Sequence, residues 1–366
     1  MKIVLIEPYF SGSHESWASG LKLYSKHKIE IISLPGKFWK WRMRGGAITL
    51  ANKFMEIGYS PDLVLTTDML DLTTFLSLTR ERSSKLPFAI YFHENQLSYP
   101  LSKNTKALQT KRDRHYGFIN ISSALAADHV LFNSNYHNES FQSEGLRFLK
   151  NFPDNNELDV MDKIQKKSQV LYLGMDLSRF DKYQNVKKSN PLILWNHRWE
   201  YDKNPEPFFR NLFKLKDEGI DFKVALLGES FNSKSGIFEE AKNRLKNQIV
   251  HYGYCNEFSE YAKWVWAADI LPVTSNQDFF GGSVVESMYC DTYPLLPNRL
   301  TYPELLPKPL HLKHIYNSDD ELYSKLKKCL LDINGTRKFS QKKIFTPYDW
   351  KSIIKRYDEL FDSFIW

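Results

Sequence analysis

Short apolar runs separated by longer stretches of helical spacing dominate the chain. In the first half the runs are Ile3–Ile6, Ile29–Leu34, Leu63–Thr66, Phe88–Phe92, Val130–Phe132 and Val170–Leu173. The second half continues with Leu192–Trp195, Phe222–Leu227, Ile249–Tyr252, Ile270–Val273, Tyr293–Leu296 and His311–Tyr316. These runs are nearly continuous in apolar character, as for strands of a parallel sheet covered on both faces. Between them lie helices such as Gly236–Leu245, which places Ile237, Ala241 and Leu245 on one face. Strands alternating with helices predict doubly wound α/β domains. Phe148–Lys167 is polar and reads as an irregular insertion.

A polar, lysine-rich stretch from Asp176 to Asn190, closed by Pro191, divides the two halves. The first domain is assigned to 1–175 and the second to 190–346. In the tail, 347–366, Trp350, Ile353, Ile354, Tyr357, Leu360, Phe361 and Phe364 share one helical face. So large an apolar face must be buried, and the expectation is a helix packing back across the junction. Two such halves would face a central cleft at the carboxyl ends of both sheets, where ligands usually bind.

Composition adds bounds. At 366 residues the chain fits two domains of about 150–180 residues better than one core. Its 42% hydrophobic and 25% charged content is that of a globular protein, not a disordered one. A net charge of +7 favours an anionic partner without choosing among nucleic acid, nucleotide and membrane surface. No stretch is long enough to span a bilayer, and the opening apolar run is too short for a signal-peptide core. Cys255, Cys290 and Cys329 lack the paired spacing of a zinc site or disulfide frame, which fits a reducing, cytoplasmic setting.

Candidate chemistry concentrates after two of the predicted strands. Asp278-Phe279-Phe280-Gly281-Gly282-Ser283-Val284-Val285-Glu286 follows the run ending at Val273. A turn with two glycines opening a helix at Ser283 is an anion site, because helix N-terminal N–H groups point outward and nothing blocks a phosphate. The carboxylates of Asp278 and Glu286 suit sugar hydroxyls, so the segment as a whole suggests a nucleotide-sugar. A plain strand-to-helix connection is the simpler alternative. Asn196-His197-Arg198 through Lys203 follows Leu192–Trp195, and its Arg198 and Lys203 could neutralise a diphosphate. No Asp-x-Asp occurs, so the usual ligands of a diphosphate-bound metal are missing, and no metal or other cofactor is expected.

Two further clusters mix cations with aromatics. Lys37, Trp39, Lys40, Trp41, Arg42 and Arg44 could meet phosphates and stack unpaired bases, or the tryptophans could plug the core. Lys111-Arg112-Asp113-Arg114-His115-Tyr116 is a second such cluster, or a solvated helix start.

The Arg198-x4-Lys203 loop and the Asp278-x7-Glu286 element resemble those of retaining GT-B glycosyltransferases of family 4. Leu173-Gly174-Met175-Asp176-Leu177-Ser178-Arg179-Phe180 is similar to the segment closing the first domain in that class. Tyr91-Phe92-His93-Glu94-Asn95-Gln96-Leu97, Gly12-Ser13-His14, Trp39-Lys40-Trp41-Arg42, Phe132-Asn133-Ser134 and Trp195-Asn196-His197-Arg198-Trp199-Glu200 narrow the resemblance to the tRNA-queuosine mannosyltransferases. It runs over essentially the whole chain.

The resemblance implies a GT-B fold of two Rossmann-like domains. It also implies transfer of mannose from GDP-mannose to the cyclopentene-diol of queuosine in tRNA(Asp), with retention and no membrane partner. By the same likeness Arg198 and Lys203 hold the diphosphate with Gly281 and Gly282, and Glu286 takes the ribose hydroxyls. His93 and Asp278 contact the donor sugar, with Asp278 standing where the family usually has Glu. Gly12, Ser13, His14 and Asn95 belong to the acceptor side or its loop, and Ser13 could equally be a helix cap. His197 either touches the diphosphate or fixes its loop. Lys37, Trp39, Trp41, Arg42, Arg44, Arg112 and Arg114 are the candidate tRNA contacts. Two other functions fit parts of the pattern: a GT-B enzyme with a lipid or polysaccharide acceptor, and a noncatalytic RNA-binding relative.

Overall fold

Both halves of the chain build a six-stranded sheet in which the paired strands run parallel. The computed structural model describes residues 1–99, 114–184, 190–229, 236–340 and 342–365. They divide into two compact units, 1–176 with 348–366, and 177–347.

In the first unit β1 (Lys2–Phe10), β2 (Lys28–Pro35), β3 (Leu63–Thr67), β4 (Phe88–Phe92), β5 (His129–Phe132) and β6 (Ser168–Val170) take the order β2-β1-β3-β4-β5-β6. The chain moves from β1 outward to β2, then returns to β3 on the other side of β1. That reversal is a topological switch point, where adjacent loops diverge and leave room for a ligand. Helices α1 (Gly12–Tyr24), α2 (Trp39–Met55), α3 (Leu72–Ser83), α4 (Arg114–Ala126), α5 (Asn135–Leu149) and α6 (Val160–Lys166) connect them. Val4, Ile6, Val64, Phe88, Ile90 and Phe132 bury one sheet face against Leu50, Phe54, Phe75 and Phe141.

The last helix belongs to this unit. The chain returns at Tyr348, and α15 (Trp350–Asp362) lies against α1. Trp350, Ile353, Tyr357, Phe361 and the following Phe364 are buried, each worth roughly 1.5–3 kcal/mol relative to exposure. The Tyr357 hydroxyl ties the face down, accepting from Trp17 Nε1 at 3.1 Å and donating to Tyr172 O at 2.7 Å.

The second unit orders its strands β12-β11-β10-β7-β8-β9. They are β7 (Leu192–Trp195), β8 (Lys223–Leu227), β9 (Ile249–Gly253), β10 (Ile270–Pro272), β11 (Tyr293–Pro297) and β12 (Ile315–Tyr316). The helices are α7 (Pro205–Asp217), α8 (Gly236–Arg244), α9 (Phe258–Ala267), α10 (Gly282–Tyr289), α11 (Lys308–His314), α12 (Asp319–Leu331), α13 (Ile333–Thr336) and α14 (Lys342–Phe345). Strands β7 and β10 are neighbours, paired at Ile193 and Ile270, so the loops after them are brought together at this unit's switch point.

Three expectations are corrected. Phe148–Lys167 is not wholly irregular, since Val160, Met161 and Ile164 pack one face of α6 into the core. His311–Tyr316 is mostly the helix α11, and only Ile315 and Tyr316 pair with β11. Helix α10 begins at Gly282, one residue before Ser283. Among the described residues no helix is long and apolar enough to cross a membrane.

Candidate active site

In the second unit the loop after β7 and the loop before α10 are knitted together. Asn196 Nδ2 donates to Ser283 O and to Ser287 Oγ, both at 2.9 Å. His197 Nδ1 lies 3.0 Å from Ser283 Oγ, so this ring fixes the loop to the first turn of α10. Burial, with Lys203 and Arg198 nearby, holds His197 down to about 3, and the ring is neutral. Its Nε2 is buried and has no hydrogen-bond partner among the described residues.

Lys203 is the centre of charge. Its Nζ donates to Gln277 O at 2.8 Å and lies 3.4 Å from Asp202 Oδ2 and 3.5 Å from Asp278 Oδ2. Arg198 Nη2 is 3.9 Å from Asp202 Oδ2, with its side chain half exposed. The sequence-predicted cations and the glycine turn therefore share one site. Gly281 caps α10 with φ 82°, a left-handed conformation that glycine adopts without the Cβ penalty.

Asp278 closes the turn on itself. Its Oδ1 accepts the Gly281 N–H at 2.8 Å and its Oδ2 the Tyr302 hydroxyl at 3.1 Å. Burial pushes this carboxyl up, but Lys203, His197 and these two donors outweigh it and hold it below the usual range. With Gly281 engaged, the first-turn N–H groups that lack intrahelical acceptors are those of Gly282 and Ser283. Glu286, one turn on, accepts from Tyr261 at 2.6 Å; burial raises its carboxyl despite that bond.

The first unit holds a second constellation. Glu7, within β1, is fully buried, with Oε1 accepting the Tyr9 N–H at 2.8 Å. Its Oε2 is 3.1 Å from Nδ1 of His14, the third residue of α1. Burial disfavours charge on His14, but Glu7, Asp68 and Glu94 outweigh it and raise the ring to about 9. The His14 and His93 rings lie against each other with centroids 4.2 Å apart and planes tilted by 38°. Burial and the neighbouring His14 keep His93 well below its ordinary value, hence neutral. Asp68, just after β3, accepts the His93 N–H at 2.8 Å, and burial pushes its carboxyl up. Asn95 Oδ1 caps the turn through the N–H groups of Leu97 and Ser98. His93 Nε2, Asn95 Nδ2 and Thr67 Oγ1 are buried without partners among the described residues, an array of ligand-seeking polar atoms.

Gly12 and Ser13 open α1, and the residue before them, Ser11, is its cap. Lys37 and Arg44 are exposed, Arg42 donates to Pro35 O at 3.1 Å, and Trp41 lies at the surface. Trp39 instead packs at the edge of a cluster with Met43, Met69, Tyr116 and Ile119. Arg112, and the side chain of Arg114 at the start of α4, lie outside the described residues.

Among the described residues two groups of His, Cys and acidic side chains carry donor atoms within 4.8 Å of one another, Glu7-His14-His93 and His251-Cys255-Glu260. Burial disfavours charge on His14, but Glu7 and its acidic neighbours raise the ring to about 9, while burial pushes the Cys255 thiol up to about 11.

Comparisons with known proteins cover both units. A family profile described as "tRNA-queuosine alpha-mannosyltransferase N-terminal" matches residues 2–175, and one described as "Glycosyl transferases group 1" matches 178–360. A tRNA-queuosine alpha-mannosyltransferase of Drosophila melanogaster is 33% identical over 377 residues, covering 99% of this chain and 97% of that protein. The chain belongs to the tRNA-queuosine alpha-mannosyltransferase family.

The fold of this family member is GT-B, and it is a glycosyltransferase. Similar solved structures include the sucrose-phosphate synthase of Thermosynechococcus elongatus, with TM-score 0.71, 13% identity and 99% and 98% of the two chains covered. The N-terminal domain of the Candida albicans trehalose-6-phosphate phosphatase reaches TM-score 0.74 at 12% identity over 99% and 97%. At such identities the likeness speaks for fold alone.

Sequence reasoning did not single out Glu7, Asp68, Tyr261, Tyr302 or Ser283 Oγ. Glu7 carries the one usable signal, a carboxylate directly after the apolar run Ile3–Ile6. The others act through contacts distant in sequence, which no local pattern reveals.

Proposed function

We propose that this glycosyltransferase moves mannose from GDP-mannose to the cyclopentene-diol of queuosine at the wobble position of tRNA(Asp), in the cytoplasm, with retention and without a metal. The observation that supports it most is the convergence of Lys203, Arg198 and the free first turn of α10 around Asp278 in a chain of this family. A diphosphate needs cations and directed N–H groups at once, and that site offers both.

In this reading Arg198 and Lys203 meet the diphosphate charge, joined by the amides of Gly282 and Ser283. The neutral His197 ring offers Nε2 to the same group. Glu286 takes the ribose hydroxyls, and Asp278, one methylene shorter than the family's Glu, takes a hydroxyl of the sugar. His93 faces the donor sugar with a neutral ring. Glycosyl transfer passes through an oxocarbenium-like state, and the departing phosphate removes the acceptor's proton on the same face. The protein's contribution is position and electrostatics.

The test is incubation with queuosine-containing tRNA(Asp) and a panel of nucleotide-sugars, followed by nucleoside mass analysis. A hexose added to queuosine only with GDP-mannose is the expected result; addition with another donor, or to none, overturns the donor or the acceptor assignment. Transfer should also survive excess EDTA unchanged. Loss on chelation with recovery on adding manganese would reject the metal-free reading.

A further inference from the structure

The start of α2 presents aromatic surface to solvent in a way the packing of the first unit does not require. Phe38 is 77% exposed, Trp41 62% and Ile48, on the same helical stripe, 53%. Phe38 caps the helix in a left-handed conformation, φ 55° and ψ 53°, which costs a bulky residue free energy and is kept most often where function needs it.

Trp41 is held in place. A Cβ built on Gly45, one turn along, would meet Trp41 Cζ2 at 2.6 Å and Cε2 at 2.7 Å. The indole therefore lies flat against the glycine, one face covered by the helix and the other open. Pre-set orientation matters because a mobile ring loses entropy on stacking.

Charge decides which partner this surface fits. Between Glu30 and Glu56 the chain has no carboxylate, while Lys37, Lys40, Arg42, Arg44 and Lys53 are all cations. Lys37 and Arg44 are exposed beside the aromatic pair, and the Arg44 guanidinium lies over the Tyr116 ring at 5.1 Å. Flat aromatic faces bordered by cations suit unpaired bases on a phosphate backbone.

We propose that Phe38 and Trp41 form a base-stacking platform for unpaired nucleotides of the RNA acceptor, set flat by Gly45 and bordered by Lys37 and Arg44. This rests on the tRNA reading above and assigns its contact surface. Of the two tryptophans in this segment, Trp41 stacks and Trp39 serves the core.

The full-length protein and its variants are compared for affinity toward queuosine-bearing tRNA(Asp) and, separately, toward GDP-mannose. Trp41→Ala and Phe38→Ala should each weaken tRNA binding about 5- to 100-fold, with donor affinity and thermal midpoint unchanged. Trp41→Phe should keep most of the affinity. Gly45→Ala removes a helix-interior glycine, so its midpoint should not fall, yet it displaces the indole and should weaken tRNA binding. Arg44→Gln should lower the slope of log affinity against log salt by about one, whereas Trp41→Ala leaves it unchanged.

Wild-type tRNA affinity in both alanine variants overturns the proposal. So does intact tRNA affinity with Trp41-dependent binding to phosphatidylserine vesicles, or with Trp41-dependent dimerisation in sedimentation, which would make the surface a membrane or self-association site. A wild-type protein that binds an anticodon stem-loop through Trp41 but transfers no hexose would keep the platform and sink the enzymatic reading. Transfer with an unchanged KM for tRNA in Trp41→Ala would do the reverse.

Discussion

Lys203→Met should abolish most of the transferase activity and destabilise the second unit, and the two effects should separate. The ammonium lies within 3.5 Å of both Asp202 Oδ2 and Asp278 Oδ2, and Asp202 is 2% exposed. Removing one partner from a buried charge cluster costs about 3–5 kcal/mol, because the remaining charges have lost their solvent and their counterion. Methionine keeps the apolar stem, so the loss reports charge and not packing. Transfer should fall by about 100- to 1000-fold, the size expected when a preorganised electrostatic group is deleted.

The same change moves a pKa in a determined direction. Burial alone raises the Asp278 carboxyl, and Lys203 is the largest of the influences that reverse it. With folded-state pKa below the unfolded value, Asp278 contributes stability above the unfolded carboxylate pKa and loses it as pH falls through the folded one. In Lys203→Met that contribution disappears, and protonated Asp278 extends toward neutral pH. Adding Asp278→Asn should restore part of the stability, since one of the two stranded carboxylates is gone and Asp202 remains, while transfer stays lost. Chemical denaturation and initial rates on the single and double variants check this. A double variant no more stable than Lys203→Met, or a single variant retaining transfer within about threefold, would contradict the charge cluster drawn here.

How much of this could be read from the chain differs between the two units. In the second unit the two loops that the sheet brings together were each legible in sequence, because their parts are local. Two apolar strands each run straight into a loop with distinctive chemistry, and parallel pairing of β7 with β10 brings those loops together. What local pattern could not show is that Asp278 turns back onto the Gly281 N–H and thereby removes one of the two predicted phosphate donors.

The first unit was legible as fold and opaque as site. Most of its strands announce themselves by apolar character, whereas β6 (Ser168–Val170) is polar and meets the expected run Val170–Leu173 only at Val170. The Asp68–His93 bond joins residues 25 apart, and the Glu7–His14 bond joins a residue inside a strand to the first turn of the next helix. Neither has a periodic signature. Helix α6 was hidden for a related reason, since polar residues surround its three core contacts and dilute the helical spacing. His311–Tyr316 misled because an apolar run this short fits strand or helix equally, and the helix won after Pro307 and Pro309.

The Glu7–His14 pair should make the first unit lose stability as the solution is made alkaline. His14 is raised to about 9 in the folded protein against an unfolded value near 6.5. A raised histidine gives stability that is fully present below the unfolded pKa and is lost as pH rises through the folded one. The window is therefore about 6.5 to 9, and the contribution is on the order of 3 kcal/mol. In Glu7→Gln the chief counterion is gone, burial then favours neutral imidazole, and the alkaline fall in stability should flatten. At pH 6.5 that variant should be less stable than wild type by about 3–5 kcal/mol, the cost of breaking a buried pair. In Glu7→Gln the His14 ring releases its proton at lower pH, so an alkaline limb of kcat/KM set by charged His14 beside His93 should shift to lower pH. Urea unfolding at pH 6.5, 7.5 and 9, with NMR titration of the His14 ring, checks both parts. Equal alkaline slopes in the two proteins, or a wild-type His14 that titrates at its ordinary value, would show that the buried carboxylate does not hold this ring in its charged state.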